Sequence, residues 1–196
     1  VEASFGFPHL PKNDFRYKKK LGGGALLDAG CYTISAFREL LEEDLNLKEF
    51  KVKKGNYEVD IRGKVIFKTK NNVKCIGSWF FGGKYKNQIR IFTENKTFVT
   101  ERSFSKPHDL TTRIFTLKNG RLRTYKKIPK DNHFLKMINY FYKTIYDIQK
   151  KEYEANNLFE QSKYISLLRK KINKILLFKL VNILHISNND FDGAGR

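Results

Sequence analysis

Acidic residues are scarce in this chain. Twenty Asp and Glu stand against 39 Lys and Arg, a formal net charge of +19. From Ile61 to Thr93 there is no acidic residue, while Arg62, Lys64, Lys68, Lys70, Lys74, Lys84, Lys86 and Arg90 fall in the same stretch. Cysteine is almost missing: Cys31 and Cys75 stand alone, with no CxxC pair and no Cys/His cluster. That excludes a disulfide-built scaffold and a zinc site of the usual spacing. Free, packed thiols in a reducing compartment, the cytoplasm, are the expectation. The histidines His9, His108, His133 and His185 are scattered without metal-ligand spacing, so no metal is expected. Long apolar runs are also lacking. The most apolar stretch, Ile175 to Ile186, is broken by Lys179, Asn182 and His185 and is shorter than the ~20 residues a bilayer span needs. No membrane partner is expected. A secretory leader is not seen, and the chain opens at Val1 as a fragment or second domain would.

What is present suffices for a folded core: 40% of the residues are hydrophobic and 14% aromatic. The lysines are spread along the chain and are not interleaved with aromatics in an RNA-recognition pattern. The basic stretch therefore reads first as a solvated sheet face, with a phosphate- or nucleic-acid-facing patch as the alternative.

Periodicity orders the chain. Val1 to Phe7 is a strand candidate, and Ala25 to about Glu43 an amphipathic helix. Tyr57 to Thr69 alternates, with Val59, Ile61, Val65 and Phe67 on one side and Asp60, Arg62, Lys64 and Lys68 on the other. Returning strands follow at Val73–Phe81, Asn87–Thr93, Thr97–Ser103, Arg113–Leu117 and Arg121–Lys126. The last two flank Asn119-Gly120, a strong hairpin signal. After Pro129 the period becomes helical: a helix capped at Asp131 or Asn132 carries Phe134, Met137, Ile138, Phe141, Ile145 and Ile148 on one stripe, expected to be core. A further helix begins near Leu158. The predicted class is α+β, an open antiparallel sheet with helices on one face. Residues 1–175 form the domain and 176–196 a tail, frayed from Asn188 onward.

The run Leu21-Gly22-Gly23-Gly24-Ala25-Leu26-Leu27-Asp28-Ala29-Gly30-Cys31-Tyr32 is the most informative segment. Three successive glycines suit a tight turn or a close approach to a ligand. Asp28 and Tyr32 are spaced i, i+4, so an acid and a phenol share one helix face. Leu26, Gly30, Ile34, Phe37 and Leu41 form the opposite, core-facing stripe. Asp28 also suits the first helical turn as a charge on the dipole, and Cys31 reads as a packed small residue.

The element order and this run resemble the C-terminal domain of the Gfo/Idh/MocA oxidoreductases, over Val1 to about Ile172. Support comes also from Phe15-Arg16, Tyr85-Lys86-Asn87-Gln88-Ile89, Arg102 to Pro107 and His133-Phe134. The resemblance implies a fold related to the C-terminal domain of glyceraldehyde-3-phosphate dehydrogenase. It implies the substrate-side half of a two-domain enzyme, with NAD or NADP held mainly by an N-terminal Rossmann domain and a sugar, keto-sugar or sugar nucleotide as substrate. Many members have a histidine where Tyr32 stands; the glucose–fructose oxidoreductase and keto-sugar reductase branches look like this chain. By resemblance Tyr32 is the general acid/base, Asp28 and Arg16 contact substrate, and Gly23 and Gly24 lie beside the cofactor. The open sheet face implies a homo-oligomer. The chain contains no GxGxxG, no preceding βαβ unit and no Glu-Lys-Pro segment, so by itself it is expected to be inactive. Two other readings stay open: a non-enzymatic binding or oligomerisation module of this fold, and a basic nucleic-acid-binding protein.

Overall fold

The computed structural model describes the backbone of residues 1–189 and the side chains as far as residue 175. The strands are β1 (Glu2–Phe7), β2 (Asn46–Lys53), β3 (Arg62–Lys68), β4 (Lys74–Phe81), β5 (Lys86–Phe92), β6 (Thr97–Glu101), β7 (Thr112–Lys118) and β8 (Arg121–Ile128). The helices are α1 (Cys31–Leu41), α2 (His133–Ile145) and α3 (Ile148–Asn189). The stretch expected as a tail from 176 is thus helical to Asn189; the rest of the expected frayed end lies outside the described residues.

All eight strands form one open sheet in the order β2-β3-β4-β1-β5-β6-β7-β8. The sheet is mixed, where an antiparallel one was expected. β1 lies parallel to β4, with Phe5 beside Trp79, and antiparallel to β5, with Phe5 beside Asn87. A parallel neighbour needs a long crossover connection, and the segment containing α1 supplies it. β1 is central, which is why Ala3, Ser4, Phe5 and Gly6 are all buried.

Two sequence expectations shift. The alternation from Tyr57 becomes strand only at Arg62; residues 57–61 are an irregular approach in which Val59 and Asp60 are both buried. The strand β2 was not anticipated. Its register slips between Leu47 and Glu49, so Leu47, Phe50 and Val52 break strict alternation. The Asn119-Gly120 turn is as expected, both residues having positive φ (51° and 73°).

The core lies over one half of the sheet. Ile34 and Phe37 of α1 and Leu168 and Ile172 of α3 meet Ala3, Phe5, Val65, Phe67, Trp79 and Phe81 from the strands. Gly30 makes room there: a Cβ on it would lie 2.7 Å from the Trp79 ring. The other half is covered more thinly: Val99 of β6 is buried, but β7 is only partly so. Along β8 only Ile128 is even partly covered. α2 is capped by Asn132, whose side chain accepts from Leu135 N–H at 3.0 Å. Its apolar stripe, expected as core, is exposed: Phe134 58%, Met137 59%, Ile138 59%, Phe141 66%. Amphipathic spacing states that a face is apolar, not that this chain covers it. α3 starts ten residues before the expected Leu158, with the Asp147 carboxylate accepting from Lys150 N–H at 3.1 Å.

Candidate active site

The glycine run is closed by the chain's own contacts. Gly22, Gly23 and Gly24 donate their N–H groups to the carbonyls of Lys19, Lys18 and Arg16 (3.1, 3.0 and 2.9 Å). Gly24 has φ +126°, a backbone open only to glycine, and a Cβ on it would sit 2.7 Å from Asp60 Oδ1. A Cβ on Gly23 would meet the Arg16 carbonyl oxygen at 2.5 Å. No N–H of this loop is left to cradle a phosphate, so Gly23 and Gly24 offer a ligand close approach rather than hydrogen bonds.

Asp60 anchors the next step. Its carbonyl accepts from Ala25 N–H (2.8 Å), and its carboxylate accepts from Leu26 N–H (2.8 Å) and Trp79 Nε1–H (3.2 Å). A carboxylate from a distant loop thus caps a helix start. Sequence alternation assigned Asp60 to the solvent side; it is 6% exposed. Burial pushes its pKa above the ordinary aspartate value, against the pull of the two donors. The segment it caps opens as a single π-helical turn, Leu26–Gly30, before α1 takes over. Such turns widen the helix locally and recur at functional sites.

Asp28 from this turn and Tyr32 from the start of α1 both remain accessible, as the i, i+4 spacing predicts. Asp28 accepts from Arg16 Nε at 3.0 Å, and Arg16 also reaches Asp14 at 3.3 Å. The three residues fasten the 11–21 loop over the turn. The sequence placed Arg16 and Asp28 at one site, and the structure joins them in an ion pair. Both side chains are partly exposed (31% and 28%), so the pair is a device for orientation rather than a large source of stability.

Tyr32 is 44% exposed. Its ring stands edge-on to Phe5 (5.3 Å, 88°) and lies 6.0 Å from Phe104, so its position is set by packing. Its hydroxyl has no hydrogen-bond partner among the described residues. Partial burial, with Cys31 and Asp28 nearby, raises the phenol above its usual value. The nearby Arg16 guanidinium is committed to Asp14 and Asp28. The phenol therefore keeps its proton at neutral pH, as a general acid must before it acts.

Cys31, one residue away, donates to the Leu27 carbonyl (3.0 Å), and desolvation pushes its thiol up to about 11. Little thiolate exists at pH 7.5, so alkylation by a maleimide or a disulfide reagent should run about 100-fold slower than for a free thiol. Reaction at the free-thiol rate would show that Cys31 is activated. Both cysteines are unpaired.

Phe5, Phe104, Asn87 and Asp60 escaped the sequence reading as site residues. Phe104 is held by its N–H donating to Asn87 Oδ1 at 2.9 Å. Asn87 is 4% exposed, and only its place in the Tyr85–Ile89 run marked it.

Residues 1–99 match the family model of the GFO/IDH/MocA C-terminal domain. A dTDP-3,4-didehydro-2,6-dideoxy-α-D-glucose 3-reductase of Saccharopolyspora spinosa is 31% identical over 106 residues, 54% of this chain and 32% of the relative. An enzyme of the same name from Streptomyces antibioticus is 25% identical over 142 residues, 72% of this chain and 43% of the relative. Among solved structures, the 3-ketoreductase KijD10 of Actinomadura kijaniata, in complex with NADP and TDP-benzene, superposes with a TM-score of 0.76. It is 23% identical, covering 86% of this chain and 52% of that one. An aldose–aldose oxidoreductase of Caulobacter crescentus superposes with a TM-score of 0.66 at 16% identity, covering 87% of this chain and 52% of that one. This chain spans about half the length of these solved structures and less than half of the two reductases. With its mixed open sheet, covering helices and a family match over half its length, the chain belongs to the GFO/IDH/MocA C-terminal domain family.

Proposed function

We propose that this chain is the substrate-side half of an NAD(P)-dependent oxidoreductase that interconverts a ketone and an alcohol on a sugar, with a nucleotide-linked keto-sugar as the favoured substrate. The observation that carries this reading is the Tyr32 hydroxyl: half-exposed, braced by two aromatic rings, without a hydrogen-bond partner among the described residues, and one turn from an Arg16–Asp28 pair. The reductase names of the relatives support the same chemistry.

A nicotinamide cofactor, when bound, supplies the hydride to the carbonyl carbon. As charge builds on the carbonyl oxygen, the Tyr32 phenol donates its proton there, leaving a phenolate to be reprotonated from solvent. Asp28 accepts a hydrogen bond from a sugar hydroxyl with its remaining oxygen. Arg16 fixes that carboxylate and closes the loop over the site. Gly23 and Gly24 border the cofactor by close approach. The glycine loop does not grip a dinucleotide through its N–H groups, which are all used internally; we assign that task to a companion domain. A phenolate also needs a nearby cation to be stabilised, and the same domain would supply it.

The exposed β8 end of the open sheet favours self-association as well, and we propose that the enzyme is a homo-oligomer through the open sheet face. No described helix is long and apolar enough to cross a membrane, and the unpaired thiols accord with a cytoplasmic setting.

Joined to a dinucleotide-binding domain of a relative, the chain should oxidise NADPH when a dTDP-linked 3-keto-sugar is added. Absence of turnover with both halves folded and cofactor bound would overturn the proposal.

A further inference from the structure

Five observations converge on the loop that follows β6. First, Arg102 has φ +57°, a left-handed backbone that disfavours side chains. Second, this conformation is held from within: Arg102 N–H donates to the Asn87 carbonyl at 2.7 Å. The buried Asn87 side chain donates to Tyr85 Oη (3.0 Å) and the Ser105 carbonyl (2.9 Å) while accepting from Phe104 N–H. Third, the Arg102 guanidinium lies 4.3 Å from the Tyr85 ring centroid. Stacking occupies only the face of the guanidinium, so its in-plane N–H donors stay available for a bidentate acceptor. Fourth, no carboxylate pairs with Arg102 or Lys86 among the described residues. Arg16, by contrast, is consumed by two aspartates. Fifth, a cavity of about 360 Å³ is lined by Tyr85, Lys86, Asn87, Gln88, Glu101 and Arg102. Two cations and one carboxylate leave it with a positive balance.

Topology joins this cavity to Tyr32. β1 and β4 run parallel, so their C-terminal ends, the start of β5 and the end of β6 share one edge of the sheet. Phe104, two residues after Arg102, packs on Tyr32 and Phe5. A ligand whose reacting carbon faces Tyr32 would extend along this edge past Phe104 to Tyr85.

We propose that Arg102, stacked on Tyr85 and held in a left-handed turn by Asn87, binds a phosphate of the nucleoside diphosphate carried by the substrate. The cavity is therefore a diphosphate subsite adjoining the Tyr32 site. The assignment of a sugar nucleotide as occupant rests on the oxidoreductase reading; the phosphate chemistry of Arg102 does not.

The test is titration calorimetry of the purified chain with thymidine diphosphate, inorganic pyrophosphate and thymidine. Wild type should bind thymidine diphosphate in a salt-sensitive way and thymidine at least tenfold more weakly. Arg102→Gln should weaken thymidine diphosphate about 10- to 100-fold and leave thymidine unchanged. Arg102→Lys should fall between, because it keeps the charge and loses the fork. Arg102→Gly serves as the folding control: it relieves the left-handed backbone, so its Tm should equal or exceed wild type while binding drops as in the glutamine variant. Wild-type-like binding in both the Gln and Gly variants, or no diphosphate binding by wild type, overturns the subsite. The two readings fail separately. Arg102-dependent binding in a chain that supports no hydride transfer beside its dinucleotide half sinks the enzyme and keeps the subsite. Turnover of a nucleotide-linked sugar with a KM unaffected by Arg102→Gln does the reverse.

Discussion

Tyr32→Phe is expected to lower kcat for keto-sugar reduction by about 10²- to 10³-fold in the protein that carries both halves, the usual contribution of a positioned general acid. Fold and cofactor affinity should survive. The ring is located by Phe5 and Phe104, which phenylalanine meets equally well. The hydroxyl makes no internal hydrogen bond among the described residues, so its loss leaves no buried group unpaired. The expected signature is therefore a normal Tm and a normal cofactor Kd with a collapsed kcat. The phenol lies above its usual value in this chain. Reduction should thus hold steady through neutral pH and fall only as the phenol ionises; a cation from the companion domain would bring that fall to lower pH. The high-pH limb should vanish in the Phe variant. A variant that turns over at the wild-type rate would remove Tyr32 from the chemistry.

Asp60→Ala should be the most damaging single change to stability outside the apolar core. It strands the N–H of Leu26 and the indole N–H of Trp79 in a buried setting, at about 1–3 kcal/mol each. A loss of about 2–5 kcal/mol by urea denaturation is expected. Asp60→Asn keeps an acceptor oxygen and should cost about 1 kcal/mol or less at pH 7. The pH dependence separates the two roles. A carboxyl with a raised folded value ionises more readily in the unfolded chain. Its contribution to stability is therefore greatest below the ordinary aspartate value of ~3.9 and declines as pH rises through that value toward the folded one. Relative to the Asn variant, wild type should gain stability on acidification from pH 7 toward 4. A constant difference over that range would mean that Asp60 is not shifted.

The i, i+4 spacing was enough to bring Asp28 and Tyr32 to one face, because helix geometry is local. The Arg16–Asp28 ion pair needed the 11–21 loop to fold back, yet both residues had been singled out through the family pattern. Asp60 was misread because alternation has no meaning before a strand begins, and β3 starts only at Arg62. The bulge near Lys48 hid β2 by the same logic: one extra residue resets the period. The α2 stripe was correctly seen as apolar and wrongly assigned to the core, since periodicity cannot name the partner. Asn87 and Arg102 were visible only as members of longer runs, because apart from the Asn87–Tyr85 contact the partners of each lie 15 or more positions away.

Among the described strands, β1 alone lies between the β2–β4 ladder and the β5–β8 ladder. Its partners on β4 lie more than 70 positions along the chain, as the Ser4–Ser78 hydroxyl contact (2.7 Å) illustrates. Closing so long a loop is entropically slow. The two ladders can each assemble as a local meander, while the seam between them must wait for β1 to be captured. Folding should therefore show early protection from hydrogen exchange in β3–β4 and β7–β8, with the amides of Ala3 to Gly6 protected last. Phe5, which braces Tyr32, belongs to that seam, so the catalytic wall would be the final part of the domain to acquire its native shape.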